Sequence, residues 1–290
     1  MHTSLTSNLP SQKKRIESFD LLKAIASFFV VSMHTSMWHM EYLNFIRDIG
    51  PPCFLAITGY LLYSDDRERE IKKCLAWAKK AFMLALWCNL VYAVAWYNHL
   101  SEQLTDPYFW LYDIFFSGKK ICYALWYLTA LWQALLIIAL LRRYAPKLIY
   151  LLPLLWIVIY LMRNSDSVLI PFDNKVPISR MSVLTSLPFL ATGYYIHMYK
   201  NKLLKLVNVK IAFTLVFIAA FFENLLYIKL LDHFALYHIL TYPLIVLTML
   251  LCIKYKDFEL PIINTIGKKR LAQHILFSRA CYNICMARWF

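Results

Sequence analysis

The 290-residue sequence is poor in charge, and poorest in acid. Only 17% of its residues are Asp, Glu, Lys or Arg and 60% are hydrophobic, whereas soluble domains carry about a quarter charged and about half apolar residues. That balance excludes an ordinary soluble core and points to an integral membrane protein. There is no CxxC pair and no Cys/His spacing of the kind that holds a metal, so no metal site is expected. The seven cysteines sit mostly inside apolar runs and read as small apolar filler. No Gly/Ser linker, low-complexity tract or 20–50-residue repeat divides the chain, so one domain is expected. No cleavable leader is expected either. Residues 1–12 are polar, and the first apolar run follows Lys13, Lys14 and Arg15 without a small-residue cleavage site.

What the chain has is long apolar runs. A span needs about 20 apolar residues, or near 17 at the short end. Candidates fall at 19–38, 49–63, 74–97, 121–141, 147–162, 181–199, 206–228 and 235–253. The expected fold is all-α, a polytopic transmembrane helix bundle of about eight spans. The second run is short and holds Pro51, Pro52 and Gly59, so a broken helix or one dipping part-way is expected there. Residues 107–117 are too short to span and read as an aromatic interfacial or re-entrant segment. The net charge of +14 does not imply nucleic acid, because the basic residues follow membrane topology. With the N-terminus cytoplasmic, the segments left inside hold 21 Lys and Arg and the outside loops hold 7.

The first run carries Asp20, Lys23, Ser27 and His34 among Leu, Ile, Ala, Phe and Val. At about 100° per residue these four fall within an arc of roughly 60°. Lys23 and His34 are separated by about 16 Å along the axis. Ionisable groups in a bilayer are costly and seldom face lipid, so the stripe is expected to line a cavity. The competing readings are that Lys23 snorkels to the headgroups and that His34 only bonds a neighbouring helix. Further along, Thr58 and Gly59 permit close helix packing. Trp126 belongs to an aromatic pair, and Arg180 lies at the mouth of a span. Glu223 and Asn224 sit inside an apolar helix, where Glu223 needs a partner, with Arg180 or His34 as candidates.

These blocks resemble a known family. A basic residue, ten residues and a histidine, preceded by Phe19 and Asp20, resembles the first helix of the acyltransferase 3 family. FLAITGYLLY at 54–63 resembles its FF-x-I-S-G-Y/F block, with Thr58 in the Ser position and Tyr60 in the aromatic one. LWYL at 125–128 resembles HLWFL, with Ala124 where His is common. Arg180 followed by LPF and Gly-Tyr resembles another block. INTIGKK at 263–269 begins the terminal block, but the residues after it depart from the pattern. The native end is therefore expected to have been lost through a frameshift near Lys269, and at least one terminal helix with it.

The resemblance implies a bacterial inner-membrane enzyme that takes an acyl group, usually acetyl, from cytoplasmic acyl-CoA as co-substrate. The acceptor would be a glycan or a lipid-linked sugar outside. No permanently bound cofactor is expected. His34 would be the catalytic base or an acylated nucleophile, with Glu223 as a second catalytic group. Lys23, oriented by Asp20, and Arg180 would bind the donor. Ser27, Thr58, Gly59, Tyr60, Trp126 and Asn224 would shape the cavity. The expected divisions are a cytoplasmic tail at 1–18, the transmembrane domain at 19–270 and an atypical tail at 271–290. A glycan transporter or export factor, an inactive family member and a membrane receptor remain alternatives, although no inverted repeat of the transporter kind is apparent.

Overall fold

The computed structural model describes residues 15–34, 44–112, 115, 121, 125–164, 182–230, 238–261 and 263. Among them the secondary structure is helical, with no strand. Helix α1 runs over Glu17–His34, with Glu17 and Asp20 in the first turn, where the helix dipole favours acid. A single turn, α2, covers Asn44–Arg47. Helix α3 follows at Gly50–Leu62 and is unbroken. Its prolines lie in the first turn, where a missing N–H costs nothing, and this corrects the expectation of a break there. Helix α4 covers Arg67–Ala95 and is capped by Asp66, whose side chain accepts from the N–H groups of Glu68 and Arg69. Two short helices come next, α5 at Tyr97–Leu104 and α6 at Pro107–Tyr112.

Helix α7 spans Trp126–Tyr144. The run expected as one span at 147–162 instead starts as a 3₁₀ helix over Pro146–Leu154 and continues as α8 over Leu155–Asn164. Pro153 offers no N–H to an α-helical ladder. Helices α9 (Ser182–Leu206), α10 (Val209–Leu230) and α11 (Thr241–Lys254) complete the described chain. Each of the eight predicted apolar runs thus carries helix. By length and composition, two helices among the described residues can cross a membrane, over Arg67–Ala95 and Val209–Lys229. Neither is a core helix of a soluble protein, because both turn large apolar side chains outward: Trp87, Val91 and Val94 are 61%, 64% and 77% exposed, and Leu215 is 62% exposed. The terminal residues 264–290, including the atypical tail, lie outside the described residues.

The centre of the fold is the crossing of α3 and α9. A Cβ on Gly59 would stand 1.9 Å from the Leu190 carbonyl oxygen, and one on Gly193 would stand 1.8 Å from that of Ala56. The two backbones touch through a reciprocal glycine pair, which is how small residues let helices approach in membranes. Leu55, Leu190, Leu135 and Ile245 pack around this crossing with almost no exposure. Pro188 interrupts the ladder inside α9, and the Thr192 hydroxyl donates to the Pro188 carbonyl at 2.6 Å. Helix α1 lies against α3, where Gly50 meets Ala26 and Val30, and against α11, where the Ser18 hydroxyl donates to the Cys252 carbonyl at 2.6 Å.

Candidate functional site

Polar groups gather at the two opposite ends of α1. At the Lys23 end, Asp20 is buried and holds two cations. Arg15 Nε lies 2.5 Å from one carboxylate oxygen and Lys23 Nζ lies 3.2 Å from the other. The Asp20–Lys23 contact is the i,i+3 pairing expected from helix geometry. Lys23 is only half-buried. Ser27, on the same face, is buried and donates to the Lys23 carbonyl at 2.7 Å, so its hydroxyl is satisfied within α1.

Aromatic rings wall this end. Tyr60 packs edge-on against Phe19 at 5.1 Å and lies over His197 at 4.4 Å. The His197 Nδ1–H donates to the Tyr60 carbonyl at 2.7 Å. Lys200 Nζ stands 5.7 Å above the Tyr60 ring, within cation–π range. Nearby, buried Glu70 pairs with Arg142 at 3.2 Å and accepts from the Tyr194 hydroxyl at 3.4 Å. Thr58 donates to the Phe54 carbonyl at 2.8 Å. Trp126 is the first residue of α7, with its ring edge-on to Tyr127 at 6.3 Å. Gly59 faces the α9 backbone.

His34 is the last residue of α1; its side chain and all of Arg180 lie outside the described residues. The pairing of Glu223 expected with Arg180 or His34 therefore lies outside the described residues, and Glu223 is held by backbone groups near that end. Its carboxylate accepts from the backbone N–H groups of Ile239 at 2.6 Å and Leu240 at 3.0 Å. These are orphan donors at the start of α11, and a carboxylate satisfies them well. Asn224, one residue on, is buried and accepts from His238 Nε2–H at 3.0 Å. The other ring nitrogen of His238, Nδ1, faces Asp48, whose carboxylate is 3.8 Å away. Burial pushes the Asp48 carboxyl up to about 7, against the pull of neighbouring Arg47. The Tyr227 ring stands edge-on to His238 at 5.7 Å, and its hydroxyl meets that of Tyr160 at 2.5 Å. Sequence reasoning missed His238 and Asp48. The only signal was a lone acid just ahead of Pro51 and a histidine at the edge of the last apolar run.

The structure therefore brings Asp20, Lys23 and Ser27 together with Tyr60 at one end, and Glu223 with Asn224 at the other. A profile of the acyltransferase domain that defines the acyltransferase 3 family matches residues 16–268. The chain belongs to that family. The match begins at α1, ends beyond α11 and takes in both polar ends. No curated protein and no solved structure matches the chain. As a family member the chain is a membrane-associated acyltransferase by domain, which accords with the outward apolar faces of α4 and α10.

Proposed function

We propose that this chain is a multi-pass protein of the bacterial cytoplasmic membrane that transfers an acyl group, acetyl first among the candidates, from cytoplasmic acyl-CoA to a hydroxyl of an extracytoplasmic polysaccharide or lipid-linked sugar. The observation that carries this reading is the Arg15–Asp20–Lys23 array on the first helix of the acyltransferase domain. It supports a donor mouth on the inner side. Its neighbours include the basic segments that the positive-inside rule assigns to the cytoplasm: Lys200 above Tyr60, and Lys256, whose carbonyl accepts from the Ser18 N–H at 3.3 Å.

In this reading the eight helical runs are spans and the N-terminus is cytoplasmic. Lys23 and Arg15 meet the phosphates of CoA as fixed cations, held in place by Asp20. The thioester reaches up α1 towards His34. His34 takes the acceptor proton as the hydroxyl oxygen attacks the acyl carbon, and the proton leaves with the CoA thiolate, so the exchange balances. Glu223 and Asn224 shape the acceptor side, Arg180 polarises the thioester of the donor, and Thr58, Tyr60 and Trp126 line the path between.

The test is a thermal shift of the detergent-purified chain with acetyl-CoA, paired with a transfer assay. A ligand at about 100 times its dissociation constant adds roughly 2.7 kcal/mol of stability. Lys23→Ala should abolish the shift. His34→Ala should keep the shift and lose transfer. A shift untouched by Lys23→Ala overturns the donor assignment, and transfer surviving in His34→Ala overturns the base.

A further inference from the structure

One face of α4 is built like an elongated amphiphile. Arg69, Lys72, Lys73, Trp77 and Lys80 line a groove whose rim is Asp66 and Glu68. Steps of three and four residues put these side chains on one face over about 16 Å. The opposite face, Glu70, Ile71, Cys74, Ala78 and Ala81, is buried in the fold. Asp66 caps the helix through the N–H groups of Glu68 and Arg69, and against the four cations of the groove the two carboxylates of Asp66 and Glu68 leave a cationic excess of two. After Lys80 no Asp, Glu, Lys or Arg appears until Glu102. The cationic groove thus ends at Lys80, where the apolar part of the helix begins, with Trp77 one turn before it, near the level at which tryptophan anchors in an interface.

The same face then continues without charge. Met83, Trp87, Val91 and Val94 follow the groove along the helix at the same angular position, and they are 41%, 61%, 64% and 77% exposed. Cations followed in line by an exposed apolar strip match the shape and polarity of a phospholipid: a phosphate headgroup first, then acyl chain. A free phosphate would use only the first half of the strip, and an acidic peptide would leave the apolar half uncovered.

We propose that this face of α4 is a binding site for an anionic phospholipid, its headgroup phosphate among Arg69, Lys72 and Lys80 beside Trp77 and an acyl chain along Met83, Trp87 and Val91. The site is separate from the donor mouth on α1 and does not depend on the acyltransferase chemistry. Each basic residue near an anionic lipid surface contributes a factor of about five, so removing three should weaken binding on the order of a hundredfold.

The experiment uses the full chain, delipidated in detergent. Its thermal midpoint is read with phosphatidylglycerol, with phosphatidylcholine of the same chains, with glycerol 1-phosphate, and with acetyl-CoA added against phosphatidylglycerol. Phosphatidylglycerol alone should raise the midpoint. The Arg69→Gln/Lys72→Gln/Lys80→Gln variant should lose that rise while keeping its midpoint in phosphatidylcholine, which reports on folding. Lys202→Gln/Lys205→Gln, a basic pair on α9, should keep the rise. Equal stabilisation by phosphatidylcholine, a rise with glycerol phosphate alone, displacement of the lipid by acetyl-CoA, or a rise retained by the triple variant would each overturn the site. If the triple variant loses its midpoint in phosphatidylcholine, binding of phosphatidylglycerol by native mass spectrometry to the single Lys80→Gln variant decides: full retention overturns the proposal, and a several-fold loss supports it.

Discussion

At the residue scale, an acid inside the helix bundle is decided by what surrounds it, and buried Asp20 and half-buried Glu223 differ in that respect. Asp20 could be paired from sequence because its cation lies three residues away on its own helix. Glu223 could not, because its donors lie 16 and 17 positions later, across a chain reversal that no periodicity records. A Glu223→Gln change leaves one acceptor for two N–H groups. It should cost about 1 kcal/mol of stability, leave the acetyl-CoA shift unchanged and raise the acceptor KM; full stability and an unchanged KM would remove Glu223 from the acceptor side. Asp48 offers a pH test. An acid that holds its proton more tightly when folded loses stability as pH rises from the ordinary carboxylate range to about 7. Asp48→Asn has no charge to bury, so its advantage in midpoint over the parent should be larger at pH 8 than at pH 5. An equal difference at both pH values would show that Asp48 titrates normally.

At the element scale, the apolar runs were legible because a bilayer imposes a length that a sequence displays directly. The helix type within a run was not. The run at 147–162 has the composition of one span, but Pro146 and Pro153 tighten its first half into a 3₁₀ helix. The crossing of α3 and α9 was half-readable. Gly59 stood out as a small residue in an apolar segment, while its counterpart Gly193, more than 130 positions away, became its partner only in three dimensions. Gly59→Ala puts a methyl group against backbone that cannot rotate aside. It should cost 1–3 kcal/mol or more, at about the overpacking range, read as a lowered thermal midpoint with the acetyl-CoA shift reduced in step. An unchanged midpoint would mean that the two helices can separate freely at this point.

At the scale of the whole molecule, membrane character and the family domain were legible, since both rest on patterns spread along the chain. How the two polar ends face each other was not, because it depends on which helices flank α1. Those neighbours are short. Helix α3 has 13 residues and α11 has 14, or about 20 Å each, against a hydrocarbon core of about 30 Å. On the eight-span reading, the bilayer beside α1 has to pinch inward to meet them, at a cost that hydrophobic mismatch sets at fractions of a kcal/mol per ångström. The protein would then carry a local thin spot. An acyl group passing from one polar end to the other would cross a barrier about two-thirds as thick as the surrounding membrane.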